Sequence, residues 1–117
     1  MTFANHLTTV LACDGVQMTA IADRDGIQVE SWGGRHGEVD EIVAEYSTFL
    51  REVASANREL QLGELEQVVV AAERRVAILT LITKDYFLLT VLTRDGNAGK
   101  ARYASRLAAF RMRGDFL

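Results

Sequence analysis

Residues that interrupt or cross-link a chain are scarce in this sequence. Proline is absent from all 117 residues, and no linker, low-complexity tract or internal repeat divides them, so we expect one domain spanning residues 1–117. Cys13 is the only cysteine, which excludes an internal disulfide and a thiolate metal cluster built by one chain. We therefore expect Cys13 to be a small buried apolar residue.

Long apolar runs are also missing. No run approaches the roughly 20 residues that a membrane span needs. Residues 1–13 lack the basic start and apolar stretch of a signal peptide. The composition, 49% hydrophobic and 25% charged, is that of a soluble domain with a modest core. These features predict a cytoplasmic protein without membrane insertion.

Charge is distributed unevenly along the chain. From residue 94 onward there are six basic and two acidic residues, which gives a charge of +4. Because the net charge of the whole chain is −3, the first 93 residues carry −7. A basic last helix can indicate nucleic-acid binding. Cations near a helix C-terminus also complement its dipole, and these are not interleaved with aromatic residues expected to be exposed. We therefore predict no nucleic-acid partner.

The first part of the chain predicts a helix followed by a β-hairpin. Thr2 can cap a short amphipathic helix that ends before residue 14. Two strands, Val16–Ala22 and Ile27–Trp32, then flank a turn in which Gly26 supplies a positive φ. The second strand alternates apolar and polar residues, so we expect this pair of strands to lie nearer an edge of the sheet.

A long amphipathic helix is predicted over Glu38–Leu60. Acidic residues crowd its first turn, where the helix dipole favours them. Its apolar residues recur at a 3-4 spacing, and Val43 and Leu50 widen the stripe. The seam consists of Val39, Ile42, Tyr46, Phe49, Val53, Ala56 and Leu60. Two interpretations remain open: a second helix packs on the seam, or the chain's own sheet covers the whole apolar stripe.

Three strands and a last helix complete the pattern. The strands are Leu65–Ala72, Val76–Ile82 and Tyr86–Leu92, and their short connections require antiparallel neighbours. The last two runs are apolar without alternation, so both faces of the sheet must be covered. Asn97 can cap the final helix. The order αββαβββα thus predicts an α+β fold in which a five-stranded antiparallel sheet lies between helices.

The inward face of the last helix follows from its large apolar residues. Tyr103, Leu107 and Phe110 recur at i, i+4 and i+7, so we expect them to point toward the sheet.

The third strand carries an aggregation hazard. Its three consecutive valines would form an exposed, aggregation-prone edge if the strand lay at the border of the sheet. Pairing with a second copy removes that hazard. A two-fold axis beside the strand would continue the sheet across a homodimer and bring two long helices together.

The segment Arg94–Tyr103 superficially matches a phosphate-binding loop. It fails the G-x-x-x-x-G-K-[ST] pattern because Arg94 occupies the first glycine position and Ala101 replaces the magnesium ligand. The preceding hairpin is also not a βαβ unit. We predict instead a turn in which Gly96 and Gly99 relieve backbone strain before a capped helix. Gly15 and Gly26 are assigned the same structural role at earlier turns.

No residue pattern predicts a metal, a cofactor or a catalytic site. The run 23–26 with Glu30 faintly matches a calcium loop, but its spacing is wrong and strands flank it. His6 and His36 have no partner at metal-ligand spacing. No serine or cysteine occupies a nucleophile elbow, and no acidic pair has an acid–base arrangement.

The order of elements and several short segments together resemble a known family. The segments are Asp14–Val16, Asp23–Ile27, the long second helix and Asp95–Tyr103. They resemble the Roadblock family, also called dynein light-chain-7-like proteins, and within it the small bacterial members of the MglB type. The resemblance covers nearly the entire chain, as one Roadblock-like domain.

The resemblance implies a homodimer joined through the third strand and second helix, and binding to small Ras-like GTPases. Relatives of the MglB type stimulate hydrolysis by rearranging the GTPase's own residues, without an arginine finger. By this analogy the expected dimer interface consists of Tyr46, Phe49, Leu50, Val53, Val68, Val69 and Val70.

We therefore predict a non-enzymatic homodimeric module that binds and regulates a small GTPase. One alternative is a scaffold without a GTPase partner. Another is a small-molecule sensor, because profilin-like and related sandwiches share this layered build, and a sizeable apolar pocket between the sheet and the first or last helix would favour it. An enzyme would need a convergent polar cleft, which the sequence does not indicate.

Overall fold

The structure is a computed structural model that describes residues 3–35 and 37–117. Its elements follow the predicted order αββαβββα. The helices are α1 (Ala4–Leu11), α2 (Glu38–Glu59) and α3 (Ala98–Met112), and a short 3-10 helix, Arg113–Phe116, follows α3. The strands are β1 (Val16–Asp23), β2 (Gln28–Gly33), β3 (Gln67–Ala71), β4 (Arg75–Leu81) and β5 (Tyr86–Thr93). The predicted cap at Thr2 lies outside the described residues, as does His36.

The strands form one five-stranded antiparallel sheet in the order β2-β1-β5-β4-β3. This confirms the predicted sheet and places β2 and β3 at its edges. The two edges differ in regularity. Pairing of β3 with β4 runs without interruption from Gln67 to Ala71, whereas the pairing of β1 with β2 shifts register between Ile21 and Ala22, as at a β-bulge.

The turn between β1 and β2 has the expected hairpin chemistry. Gly26 has a φ of 86°, a value that strains residues with a side chain. The Oδ1 atom of Asp23 accepts hydrogen bonds from the backbone N–H groups of Asp25 and Ile27, at 2.9 and 3.0 Å. The carboxylate therefore organises its own turn, as an aspartate does in an Asx turn.

Each face of the sheet carries its own hydrophobic core. On one face α2 contributes Val39, Val43 and Leu50. On the other face α1 and α3 pack together, and Cys13 is buried among them, as predicted for a small apolar residue. The central strands are covered on both sides because Ile78 faces α3 while Leu79 faces α2. The predicted α/β/α sandwich is confirmed.

The inward face predicted for α3 is wrong. Tyr103 and Phe110 are both 69% exposed, and Leu107 is only half-buried. The residues that α3 buries are small apart from one methionine: Ala101, Ala104, Ser105, Ala108, Ala109 and Met112. Small side chains let the helix lie close to α1 and to the sheet, and the distance between packed elements is set by the side chains at their contact. Two aromatic rings on that face would have required a wider separation.

Candidate functional site

Only the first residue of the predicted heptad seam, Val39, is fully buried against the sheet. The stripe that α2 buries there is Val39, Val43, Ser47 and Leu50. Further along the helix the seam lies to one side of this stripe, and its Ile42 and Tyr46 pack partly against the margin of the core. The interpretation in which the sheet covers the whole apolar stripe is therefore wrong. An apolar strip of α2 remains at least partly exposed and available for another contact.

The accessible part of the seam is aromatic at its centre. Phe49 is 38% exposed, and its ring centroid lies 6.2 Å from that of Tyr46. Tyr46 and Val53 are half-buried. Leu50, which was grouped with them as a dimer residue, is only 4% exposed and belongs to the chain's own core. Of the residues predicted on α2, three thus offer surface to a partner and one does not.

β3 presents both its side chains and its outer edge. Val68 and Val70 turn toward the α2 side and pack partly against its core, whereas Val69 turns the other way and is 38% exposed. Within the described part of the chain, β3 pairs only with β4. Alternate backbone N–H and C=O groups of its outer edge are therefore open to a further strand.

The seam and β3 meet in one hollow of about 730 Å³. Tyr46 and Ile42 line it from α2, and Val70 lines it from β3. Acidic side chains surround these apolar ones, and Glu38 is held by Arg75 at 3.0 Å. The structure therefore places the two predicted dimer elements side by side. We call the outer seam of α2, from Ile42 to Val53, together with the edge strand β3 the α2–β3 surface.

The loop before α3 is built on close backbone contact. Gly15, with a φ of 89°, lies so near Gly96 that a Cβ on either would come within 2.6 Å or less of another atom. Gly96 is thus required for space and not for a positive φ, which corrects the predicted reason. Gly99 has neither constraint. Asn97 caps α3 as predicted, accepting from the Lys100 N–H at 3.0 Å.

Metal-binding residues do not converge in this part of the molecule. No group of three or more His, Cys, Asp or Glu side chains that could hold a metal ion occurs among residues 3–35 and 37–117. His6 lies near Asp115, with 3.6 Å between Nε2 and Oδ2, and these two form an isolated pair. Nor is any helix of the described chain long and apolar enough to cross a membrane.

The Roadblock/LC7 domain model matches residues 3–93 of the chain. The chain belongs to the Roadblock/LC7 family. No curated protein sequence matches it, so the relatives of this Roadblock chain are seen among solved structures.

Solved Roadblock domains share its fold. A Roadblock/LC7 domain from Streptomyces avermitilis superposes with a TM-score of 0.84 at 17% identity, covering 93% of this chain and 92% of the other. The gliding protein MglB from Thermus thermophilus gives 0.83 at 15% identity, covering 96% and 86%. MglC from Myxococcus xanthus gives 0.68 at 29% identity, covering 98% and 99%. The predicted resemblance to small bacterial Roadblock proteins is confirmed.

One feature of this Roadblock domain escaped the sequence interpretation. The aromatic residues of α3 that were expected inside border an open groove of about 960 Å³ between α3 and the β3–β4 end of the sheet. The signal that could have revealed it is the helical spacing of Ala101, Ala104, Ser105 and Ala108. Those residues are small and only weakly apolar, so the larger apolar side chains of α3 dominate its hydrophobic periodicity.

Proposed function

We propose that this Roadblock domain is a non-catalytic cytoplasmic homodimer that binds and regulates a small Ras-like GTPase. The observation that carries the proposal is the α2–β3 surface: an apolar strip of α2 left uncovered beside an unpaired, regular edge strand. An interaction module needs such a surface, and no metal-binding cluster competes with it in the described chain.

In the proposed dimer, β3 pairs antiparallel with its own copy and continues the sheet into the second protomer. The same two-fold axis sets the α2 seams against each other, so that Phe49 and Tyr46 become buried. Stable interfaces bury about 1,200–2,000 Å² in total, which a five-residue strand alone does not supply and a 22-residue helix beside it can. Both elements are therefore part of the proposal.

The GTPase is the finer part of the proposal, and family membership supports it. The nucleotide would be held by the partner, because Arg94–Tyr103 forms a helix cap and a glycine contact and not a phosphate cradle. Regulation would then act by rearranging the partner's own residues, without an inserted arginine.

The dimer is tested by single charges at its centre. Val69→Glu and Phe49→Glu each place a carboxylate on an apolar interface and should convert the dimer to a monomer in light scattering and analytical ultracentrifugation. Ile27→Glu is the matched control, because Ile27 is exposed near the opposite edge of the sheet and should leave the dimer intact. A wild-type chain that is monomeric at micromolar concentration would contradict the proposed architecture.

The GTPase is tested separately. The purified chain is mixed with each small Ras-like GTPase of its own organism, loaded with GDP or with a non-hydrolysable GTP analogue, and complexes are measured by size-exclusion chromatography. We expect a nucleotide-dependent complex with at least one of them. A dimer that binds none in either state would leave a scaffold and remove the regulatory role.

The small-molecule alternative gains no support from the groove beside α3. That alternative called for an apolar pocket between the sheet and an outer helix. The groove has the expected position, but it is only partly enclosed, and seven of the 19 residues that line it are charged. Small-ligand sites are enclosed and mainly apolar.

A further inference from the structure

We propose that the groove between α3 and the β3–β4 end of the sheet, here called the α3 groove, binds an acidic amphipathic segment of a partner protein. This groove shares no lining residue with the hollow between α2 and β3, and the proposal goes beyond the function proposed above. The inference rests on three properties of the groove: its apolar side chains, its excess of unpaired cations and the bonds that hold its walls in place.

The most accessible apolar side chains of the groove belong to α3. Tyr103 and Phe110 stand out from it at 69% exposure each, with the half-buried Leu107 between them. On the opposite wall Leu65 is half-buried, and Ile82 is only 2% exposed. Large exposed side chains that recur at i, i+4 and i+7 on one helix make a continuous stripe, which is the kind of surface that marks a protein contact.

The charged side chains of the groove give it a positive sign within an acidic protein. Five cationic and two acidic residues line it, a net of +3, whereas the whole chain carries −3. The cations are Arg58, Lys84, Arg102, Arg106 and Arg113. Only Arg106 has an ion-pair partner among the described residues, namely Glu66 at 3.2 Å. The other four cations are available to carboxylates of a ligand. The segment that binds in the groove should therefore carry negative charge.

The walls of the groove are held together before any ligand arrives. The Gln67 side-chain amide on β3 donates to the backbone carbonyl of Arg102 on α3 and to Thr80 Oγ1 on β4, both at 3.1 Å. The Arg106–Glu66 pair links the same two sides. A preformed groove spares the ordering cost of binding.

The shape and lining favour a peptide over the other polyanions. α3 is 15 residues long, so the groove beside it offers about 22 Å, enough for four turns of a docked helix. A flat bilayer would not enter a concave groove. A nucleic-acid backbone would leave the aliphatic side chains of the groove without a matching surface, whereas an amphipathic segment supplies both apolar and acidic side chains.

The test uses the full chain and a designed probe. A fluorescein-labelled 16-residue peptide with leucine at helical a/d spacing and glutamate at all other positions is titrated with the protein, and binding is measured by anisotropy. A peptide with lysine in place of every glutamate is the paired probe. We expect the glutamate peptide to bind at least about tenfold more tightly, a difference of about 1.4 kcal/mol.

Variants assign the binding to the groove. The double variant Arg102→Glu with Arg113→Glu removes positive charge from the groove, and Tyr103→Ser with Phe110→Ser removes apolar surface. Each double variant should weaken binding by about tenfold or more. Arg111→Glu, on the same helix but outside the lining, and Ile27→Ser, exposed elsewhere, are the controls and should bind as the wild type. All these side chains are exposed, and far-ultraviolet dichroism verifies the fold.

The outcomes separate the candidate ligands. Equal binding of the lysine peptide, or wild-type binding by both groove variants, would overturn the proposal. So would tighter binding of a 16-nucleotide oligothymidine or of phosphatidylserine vesicles than of the glutamate peptide. Val69→Glu, which should disrupt the proposed dimer, lies outside the lining of the groove and should bind the glutamate peptide as the wild type does, so the two proposals can fail independently.

Discussion

α2 and α3 cover opposite faces of one sheet, and they bury side chains of very different size. α2 buries Val39, Val43 and Leu50, and it leaves a second apolar strip uncovered at its side. α3 buries a row of alanines with Ser105, and its rings point outward. On α2 the surplus apolar surface adjoins the contact with the sheet, whereas on α3 it lies away from that contact.

The difference shows that the largest side chains of an amphipathic helix do not by themselves define its buried face. α3 shares its side of the sheet with α1, so space there is divided between two helices. Alanine permits the close approach that this sharing requires. α2 covers its side alone and has room for branched side chains, while its extra strip faces β3.

The largest expected effect comes from breaking the α2 contact itself. Leu50→Ala removes a buried side chain and should lower the free energy of unfolding by about 2–5 kcal/mol, as leucine truncations in cores do. Urea denaturation is measured in a Val69→Glu background, which removes the proposed self-association.

Phe49→Ala in the same background is the control for that measurement. Phe49 is one residue away, but its ring lies on the outer strip and is paired with that of Tyr46, so its truncation should cost about 0.5–1.5 kcal/mol, less than Leu50→Ala. If both variants lost the same stability, the division of α2 into a core stripe and an outer strip would be wrong.

A smaller effect is expected from overfilling the α3 contact. Ala104→Leu inserts three carbon atoms where the helix lies close to its neighbours, and it should cost about 1–3 kcal/mol through displaced packing. Tyr103→Leu, at the adjacent exposed position, introduces the same residue with little cost. Unchanged thermal unfolding of Ala104→Leu would show that α3 is not closely packed there.

The smallest effect compares the one serine that each helix buries. Ser105 of α3 is hydrogen-bonded to Thr90 of β5 at 3.1 Å, so Ser105→Ala leaves a buried hydroxyl unpaired and should cost about 1–2 kcal/mol. Ser47 of α2 donates only to Ala44 O of its own helix, at 2.9 Å.

Ser47→Ala therefore serves as the matched control in the same denaturation series. It should be neutral or stabilising by about 0.5 kcal/mol, because alanine is the better helix former. A larger loss for Ser47→Ala than for Ser105→Ala would reverse the assignment of the cross-element bond.

Local patterns in the sequence were sufficient for much of the fold. The hairpin at Gly26, the cap at Asn97 and the two-sided burial of β4 and β5 all follow from short-range chemistry, and the structure confirms them. Such features depend on residues within a few positions of one another, which is why one sequence predicts them.

The candidate surfaces were predicted less well, because they depend on what lies across a gap. The heptad seam of α2 was visible, but Leu50 was assigned to the partner although the chain's own sheet takes it. On α3 the periodicity favoured Tyr103 and Phe110 for the interior, since the approach distance set by α1 is not encoded in α3 alone. Neither the distance between elements nor the division of space among them can be inferred from one helix's pattern.

The unequal regularity of the two sheet edges has a consequence for assembly size. β3 pairs with β4 in steady register, whereas the register of β1 with β2 shifts between Ile21 and Ala22, and bulges of this kind disfavour pairing with a further strand. If two copies join through β3 as proposed, each end of the combined sheet is a β2 strand. The bulge would then disfavour the addition of a third subunit and limit growth along the sheet to two subunits.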